Sequence, residues 1–102
     1  MSEFEELRET LRTVPVPALY EQLAEECAEL VKASLKMSRI LRGENPTPVT
    51  IREAKDMVWE ELSDVATVCY VLDLDSDEVR IIQKMRRWVE RLEEARNAKG
   101  DL

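Results

Sequence analysis

The chain has 102 residues, a hydrophobic share of 44% and a formal charge of −7, a composition that supports one domain over residues 1–102 with a core needing no disulfide staples. It contains no histidine, which excludes imidazole acid–base chemistry and His-ligated metals and leaves carboxylates, cations or a metal to carry any catalysis. The acidic balance excludes a nonspecific binder of nucleic-acid polymers, whose affinity rests on an excess of Lys and Arg.

The four prolines fall in two clusters, Pro15 with Pro17 and Pro46 with Pro48, and cut the chain into helical pieces. Ser2 to Thr13 predicts a short amphipathic helix with Phe4, Leu7 and Leu11 on one face. After "TVPVP" a long helix is expected from Pro17 to Arg42, stopped by Gly43 and the polar loop "GENPTP". Thr50 followed by Glu53 is a capping-box signal, so a third helix is expected from Ile51 to Leu72. Asp75 or Ser76 is then placed to cap a last helix bearing Val79, Ile82, Met85, Val89 and Leu92 at three- and four-residue steps. No stretch alternates as a strand would, and the expected fold is all-α, four-helix-bundle-like and completed by oligomerisation. Cys27 and Cys69 lie in apolar helical runs without CxxC spacing and are expected as reduced core thiols. The opening "MSEFEELRET" is acidic where a signal peptide is basic, and no apolar run reaches transmembrane length; a cytoplasmic protein without a membrane partner is expected.

Two segments repeat an outline: "LAEECAEL" from Leu23 to Leu30, and "VWEELSDV" from Val58 to Val65. Residues three apart share a helix face, so Glu26 stands beside Glu29 and Glu61 beside Asp64. Leu19, Leu23, Leu30, Ala33 and Met37 surround Glu26, and Ala54, Val58, Val65, Val68 and Leu72 surround Glu61. Each long helix therefore puts an acid inside its own core stripe. Neither stripe carries a cation at the matching level, which leaves neutral acids with raised pKa values, or a divalent metal that turns clustered negative charge into an attraction. If the two helices pack antiparallel, Glu26, Glu29, Glu61 and Asp64 can converge on one all-oxygen site suited to Mg²⁺ or Mn²⁺ and to metal-assisted phosphoanhydride hydrolysis, with an oligomer interface rich in acids as the alternative.

At these residues the sequence resembles the MazG-like nucleotide pyrophosphohydrolases of the all-α NTP pyrophosphatase superfamily, whose pattern is EExxE followed by ExxD. Here it reads Glu25-Glu26-Cys27-Ala28-Glu29, then Glu61-Leu62-Ser63-Asp64, and the match spans Leu19 to Leu72. The resemblance implies hydrolysis of a nucleoside triphosphate, or its deoxy form, to the monophosphate and pyrophosphate. It implies that Glu26, Glu29, Glu61 and Asp64 hold Mg²⁺, and that Glu25 orients or deprotonates the attacking water. It also implies a homodimer or homotetramer in which helices of two subunits complete the bundle, an expectation the large apolar stripes of the two long helices support independently. Many members carry a Lys, Asn and Arg series on the last helix that contacts substrate phosphates; here "KMRRWVER" places Trp88 where the Asn would be. Lys84, Arg86, Arg87 and Arg91, with Lys36 beyond Glu29, are the remaining candidates for phosphate contacts. Two alternatives stand beside this reading: phosphoribosyl-ATP pyrophosphohydrolase, which shares the acids, and a non-catalytic helical module whose acids meet a basic protein surface.

Overall fold

A computed structural model describes residues 1–44 and 48–100. It contains four α-helices: α1 (Glu3–Leu11), α2 (Val16–Leu41), α3 (Ile51–Val71) and α4 (Glu78–Gly100). Their ends follow from local chemistry. Ser2 Oγ accepts the Glu5 amide at 3.2 Å and Thr50 Oγ1 accepts the Glu53 amide at 3.1 Å, each hydroxyl satisfying an amide that the first turn leaves without a carbonyl. Pro15 and Pro17 bracket the start of α2, where a missing N–H costs nothing. α2 and α3 each end in a Schellman motif. On α2 the Gly43 and Glu44 amides return to the Ile40 and Arg39 carbonyls, and on α3 the Asp73 and Leu74 amides return to those of Tyr70 and Cys69. The reversing residue is left-handed in each, Gly43 at φ +72° and Asp73 at φ +62°.

The last cap differs from expectation. Asp77, not Asp75 or Ser76, accepts the Val79 amide at 2.9 Å and the Arg80 amide at 3.4 Å, and its carbonyl takes the first helical bond, from Ile81. Asp75 instead accepts the Ser76 amide at 2.7 Å and shapes the turn before the cap. The "GENPTP" loop lies partly outside the described residues, at Asn45, Pro46 and Thr47.

α2 and α3 form the principal packed unit. Their connection reaches about 35 Å when fully extended, short of the roughly 39 Å length of α2, and the pair is antiparallel as expected. Buried hydrophobics cluster at two levels: Ala33 and Ala54 near the connection, and Leu19, Val68 and Val71 at the far end. Ala54, only 1% exposed, lets the helices approach closely there. Glu26 and Glu61, both half-buried, occupy the middle.

α1 lies against the end of α3. Phe4 meets Tyr70 edge to face at 4.4 Å between ring centroids, and the Arg8 guanidinium stands 5.0 Å over the same ring. Asp73 accepts a hydrogen bond from Arg8 at 3.1 Å and forms a looser ion pair with Arg12 at 3.7 Å, while Arg12 Nε donates to the Val71 carbonyl at 3.2 Å. The residue that turns the chain out of α3 is thus gripped from α1.

α4 packs against none of the other helices. Its apolar face stands in solvent, with Val79 64% and Trp88 68% exposed. The radius of gyration is 18.6 Å, against about 13 Å for a compact chain of this length. The exposed surface of 8712 Å² exceeds the roughly 5,950 Å² of a compact monomer of this mass by roughly 2,800 Å². The four expected helices are present, but one chain alone neither closes them into a bundle nor completes the core its composition led us to expect. Cys27 is also not a core thiol: it is exposed on α2, while Cys69 is half-buried on α3. Among the described residues no helix is long and apolar enough to cross a membrane.

Candidate metal centre

Halfway along the α2–α3 seam, carboxylate oxygens of Glu26, Glu61 and Asp64 lie within 4.8 Å of one another. The antiparallel packing creates this meeting. Glu26 points from α2 into the level between the two buried clusters, and Glu61 comes to the same level from α3 with Asp64 one turn along. Glu26 and Glu61 are half-buried and Asp64 is exposed. Among the described residues no Lys or Arg forms an ion pair with these three; the Arg and Lys pairs present are Arg8 and Arg12 with Asp73, Lys32 with Glu29, and Arg80 with Asp77.

Partial burial, with the carboxylates of Asp64, Glu29 and Glu26 beside it, pushes the Glu61 pKa above the ordinary carboxylate range. Both causes act alike: a poorer solvent and neighbouring negative charge each disfavour ionisation. Glu26 is held from its own helix, where Gln22 Nε2 donates to Oε1 at 2.7 Å. That partner stands one turn before the acid, an i,i+4 spacing that the sequence itself carries.

The other expected site residues are placed differently. Glu29 is exposed and its Oε1 accepts Lys32 Nζ at 3.3 Å; it stands outside the close triad yet near enough to act on Glu61. Glu25 is exposed on α2, and Lys36 is half-buried further along the same helix. Lys84, Arg86, Arg87 and Arg91 are all exposed on α4, which the single chain does not bring to the acids.

The donors fit a small hard cation. They are carboxylate oxygens alone, with no thiolate or imidazole to favour zinc. Ligands around an octahedral Mg²⁺ lie about 3 to 4 Å apart, so a triad within 4.8 Å is slightly more open than a closed coordination shell. Comparison with protein-family models, with curated proteins and with solved structures finds no match in any of the three.

Proposed function

We propose that this chain is an Mg²⁺-dependent nucleoside triphosphate pyrophosphohydrolase of the MazG-like kind, cytoplasmic and working as a homo-oligomer. The observation that carries the reading is the convergence of Glu26, Glu61 and Asp64 from two helices, within 4.8 Å and with no cation paired to them among the described residues. Acids recruited for a protein partner belong on open faces; the half-buried Glu26 and Glu61 favour a small ion over a helical interaction module.

In this reading Glu26, Glu61 and Asp64 would hold Mg²⁺ or Mn²⁺, with Glu29, now paired with Lys32, as the fourth carboxylate available to the ion. The metal would supply charge neutralisation across the triphosphate. Glu25, exposed beside the cluster, is the residue available to orient or deprotonate the attacking water. Gln22 fixes the Glu26 rotamer. Lys84, Arg86, Arg87 and Arg91 reach the acids only from a second subunit, whose α4 would then bring phosphate-binding charge to a site one chain leaves uncovered; Lys36 on α2 is the cation available within the chain.

The test is a pyrophosphate-release panel over ribo- and deoxyribonucleoside triphosphates, modified nucleotides and phosphoribosyl-ATP, with Glu26→Gln as the blank. Release from triphosphates, lost in the variant, is expected; turnover confined to phosphoribosyl-ATP would reassign the substrate, and silence across the panel would end the enzymatic reading. A rise in melting temperature with Mg²⁺ or Mn²⁺ is expected for the wild-type protein and absent in Glu61→Gln, because an ion bound only by the folded state stabilises it.

A further inference from the structure

α2 carries a second apolar stripe, on the side away from α3. Tyr20, Ala24, Cys27, Val31 and Leu35 follow one another at steps of four, three, four and four, close to a coiled-coil seam, whose strictly alternating steps would run through Ser34 beside Leu35. The small side chains of Ala28 and Ser34 fill its edges, and no charged side chain interrupts it. All are exposed, Tyr20 by 50%, Val31 by 56% and Leu35 by 54%, and neither α1 nor α4 reaches this helix. Glu26 projects elsewhere, toward α3, so the stripe and the acid cluster occupy different sides of α2.

The charges of α2 are divided along its length. Glu21, Glu25, Glu26 and Glu29 lie in the N-terminal half with no Lys or Arg, and Lys32, Lys36 and Arg39 lie in the C-terminal half with no acid. Two copies side by side in parallel would set acid against acid and base against base. Turned antiparallel, they set each acidic half against the other's basic half, along the edge that carries Glu21, Lys32 and Arg39.

We infer that α2 pairs antiparallel with α2 of a second copy through this stripe, about a two-fold axis beside Cys27. The register that centres the stripe puts Tyr20 against the partner's Leu35, Ala24 against the partner's Val31, and Cys27 against the partner's Ala28, next to the partner's Cys27. Small side chains then meet at the centre and large ones close the ends. A two-fold axis requires a surface complementary to itself, and this stripe with its divided charge satisfies that requirement. The roughly 2,800 Å² of surplus surface per chain is shared between this stripe and the uncovered α4, and is well above the 800 Å² or so each partner contributes to a stable interface.

The inference gives the self-association proposed above its face and register, and does not depend on the metal reading. In a Cys69→Ala background, brief treatment with a short bifunctional maleimide should link most of the protein into dimers through Cys27. Leu35→Cys in a chain lacking Cys27 and Cys69 should not link, because antiparallel pairing holds the two copies of residue 35 about 22 Å apart along the helices. Val31→Glu should weaken association by roughly 100-fold or more in sedimentation equilibrium, with helix content unchanged by circular dichroism. A dimer in sedimentation that resists linking at Cys27 would overturn the seam while leaving self-association standing. Efficient linking at Leu35→Cys would overturn the antiparallel register, and a monomer at all concentrations would overturn both.

Discussion

The α2–α3 hairpin and α4 are written in the same style, with apolar residues at three- and four-residue steps, yet only the hairpin finds its partner within the chain. The hairpin buries Leu19, Ala33, Ala54, Val68 and Val71 and gathers three acids between them. α4 buries nothing, and it is net basic, with Arg80, Lys84, Arg86, Arg87, Arg91, Arg96 and Lys99 against four glutamates. The contrast teaches that periodicity marks which side of a helix will be dry, while what dries it is decided by geometry at the helix ends. It also divides the chemistry: the acids stay where one chain can position them, and much of the cationic charge sits on an element that one chain leaves free.

Four measurements would break or sharpen that division. Glu61→Gln or Asp64→Asn should reduce pyrophosphate release by about 10²–10³-fold, the scale on which removing one charge-stabilising group acts, and abolish the Mg²⁺ melting shift. Arg87→Gln on α4 should instead raise KM with the metal shift intact. If both variants lost the shift, acids and cations would not be separable as drawn.

Next in size is Ala54→Leu. Forcing a branched side chain between α2 and α3 should cost about 1–3 kcal/mol in chemical denaturation, whereas Val79→Ala on α4, measured at low protein concentration, should change stability by less than about 0.5 kcal/mol. An equal loss at both positions would mean α4 is packed in the single chain after all.

Asp73 gives a smaller effect. Asp73→Ala removes both arginine contacts and puts an alanine in a left-handed conformation, for about 1–2 kcal/mol in thermal denaturation. Asp73→Gly loses the same contacts but relieves the backbone, so it should lie closer to the wild type.

The smallest is a pH slope. The folded protein holds the Glu61 proton more tightly than the unfolded chain does, so it binds more protons in the window just above the ordinary carboxylate range, and metal-free stability should fall as pH rises through that window. Glu61→Gln should flatten that part of the profile, and Mg²⁺ should flatten it too by favouring the ionised form. An unchanged slope in the variant would show that another group carries it.

Most of the helical plan was legible because its signals are local. Thr50 and Glu53 fixed the start of α3, Gly43 the end of α2, and the spacing of Glu26, Glu61 and Asp64 placed them on facing stripes before any packing was known. Asp75, Ser76 and Asp77 are three capping residues in a row, and only the first helical carbonyl, that of Asp77, selects among them. Glu29 looked equal to its neighbours, but Lys32 three residues on competes for it. Cys27 read as core because its run is apolar; the run is apolar on two sides, and Cys27 faces the one that α3 does not cover. The detachment of α4 had no signal in its own residues, since the turn before it, and not its amphipathic pattern, sets where it goes.

That turn has a consequence for the whole molecule. Asp73 bends the chain left-handed at the exit from α3, and Arg8 of the N-terminal helix and Arg12 just past its end clasp it. The bearing on which the basic arm departs is therefore governed by the opposite end of the polypeptide. A chain shorn of its first dozen residues would keep its hairpin and its carboxylates, yet lose the brace that tells its last helix where to point.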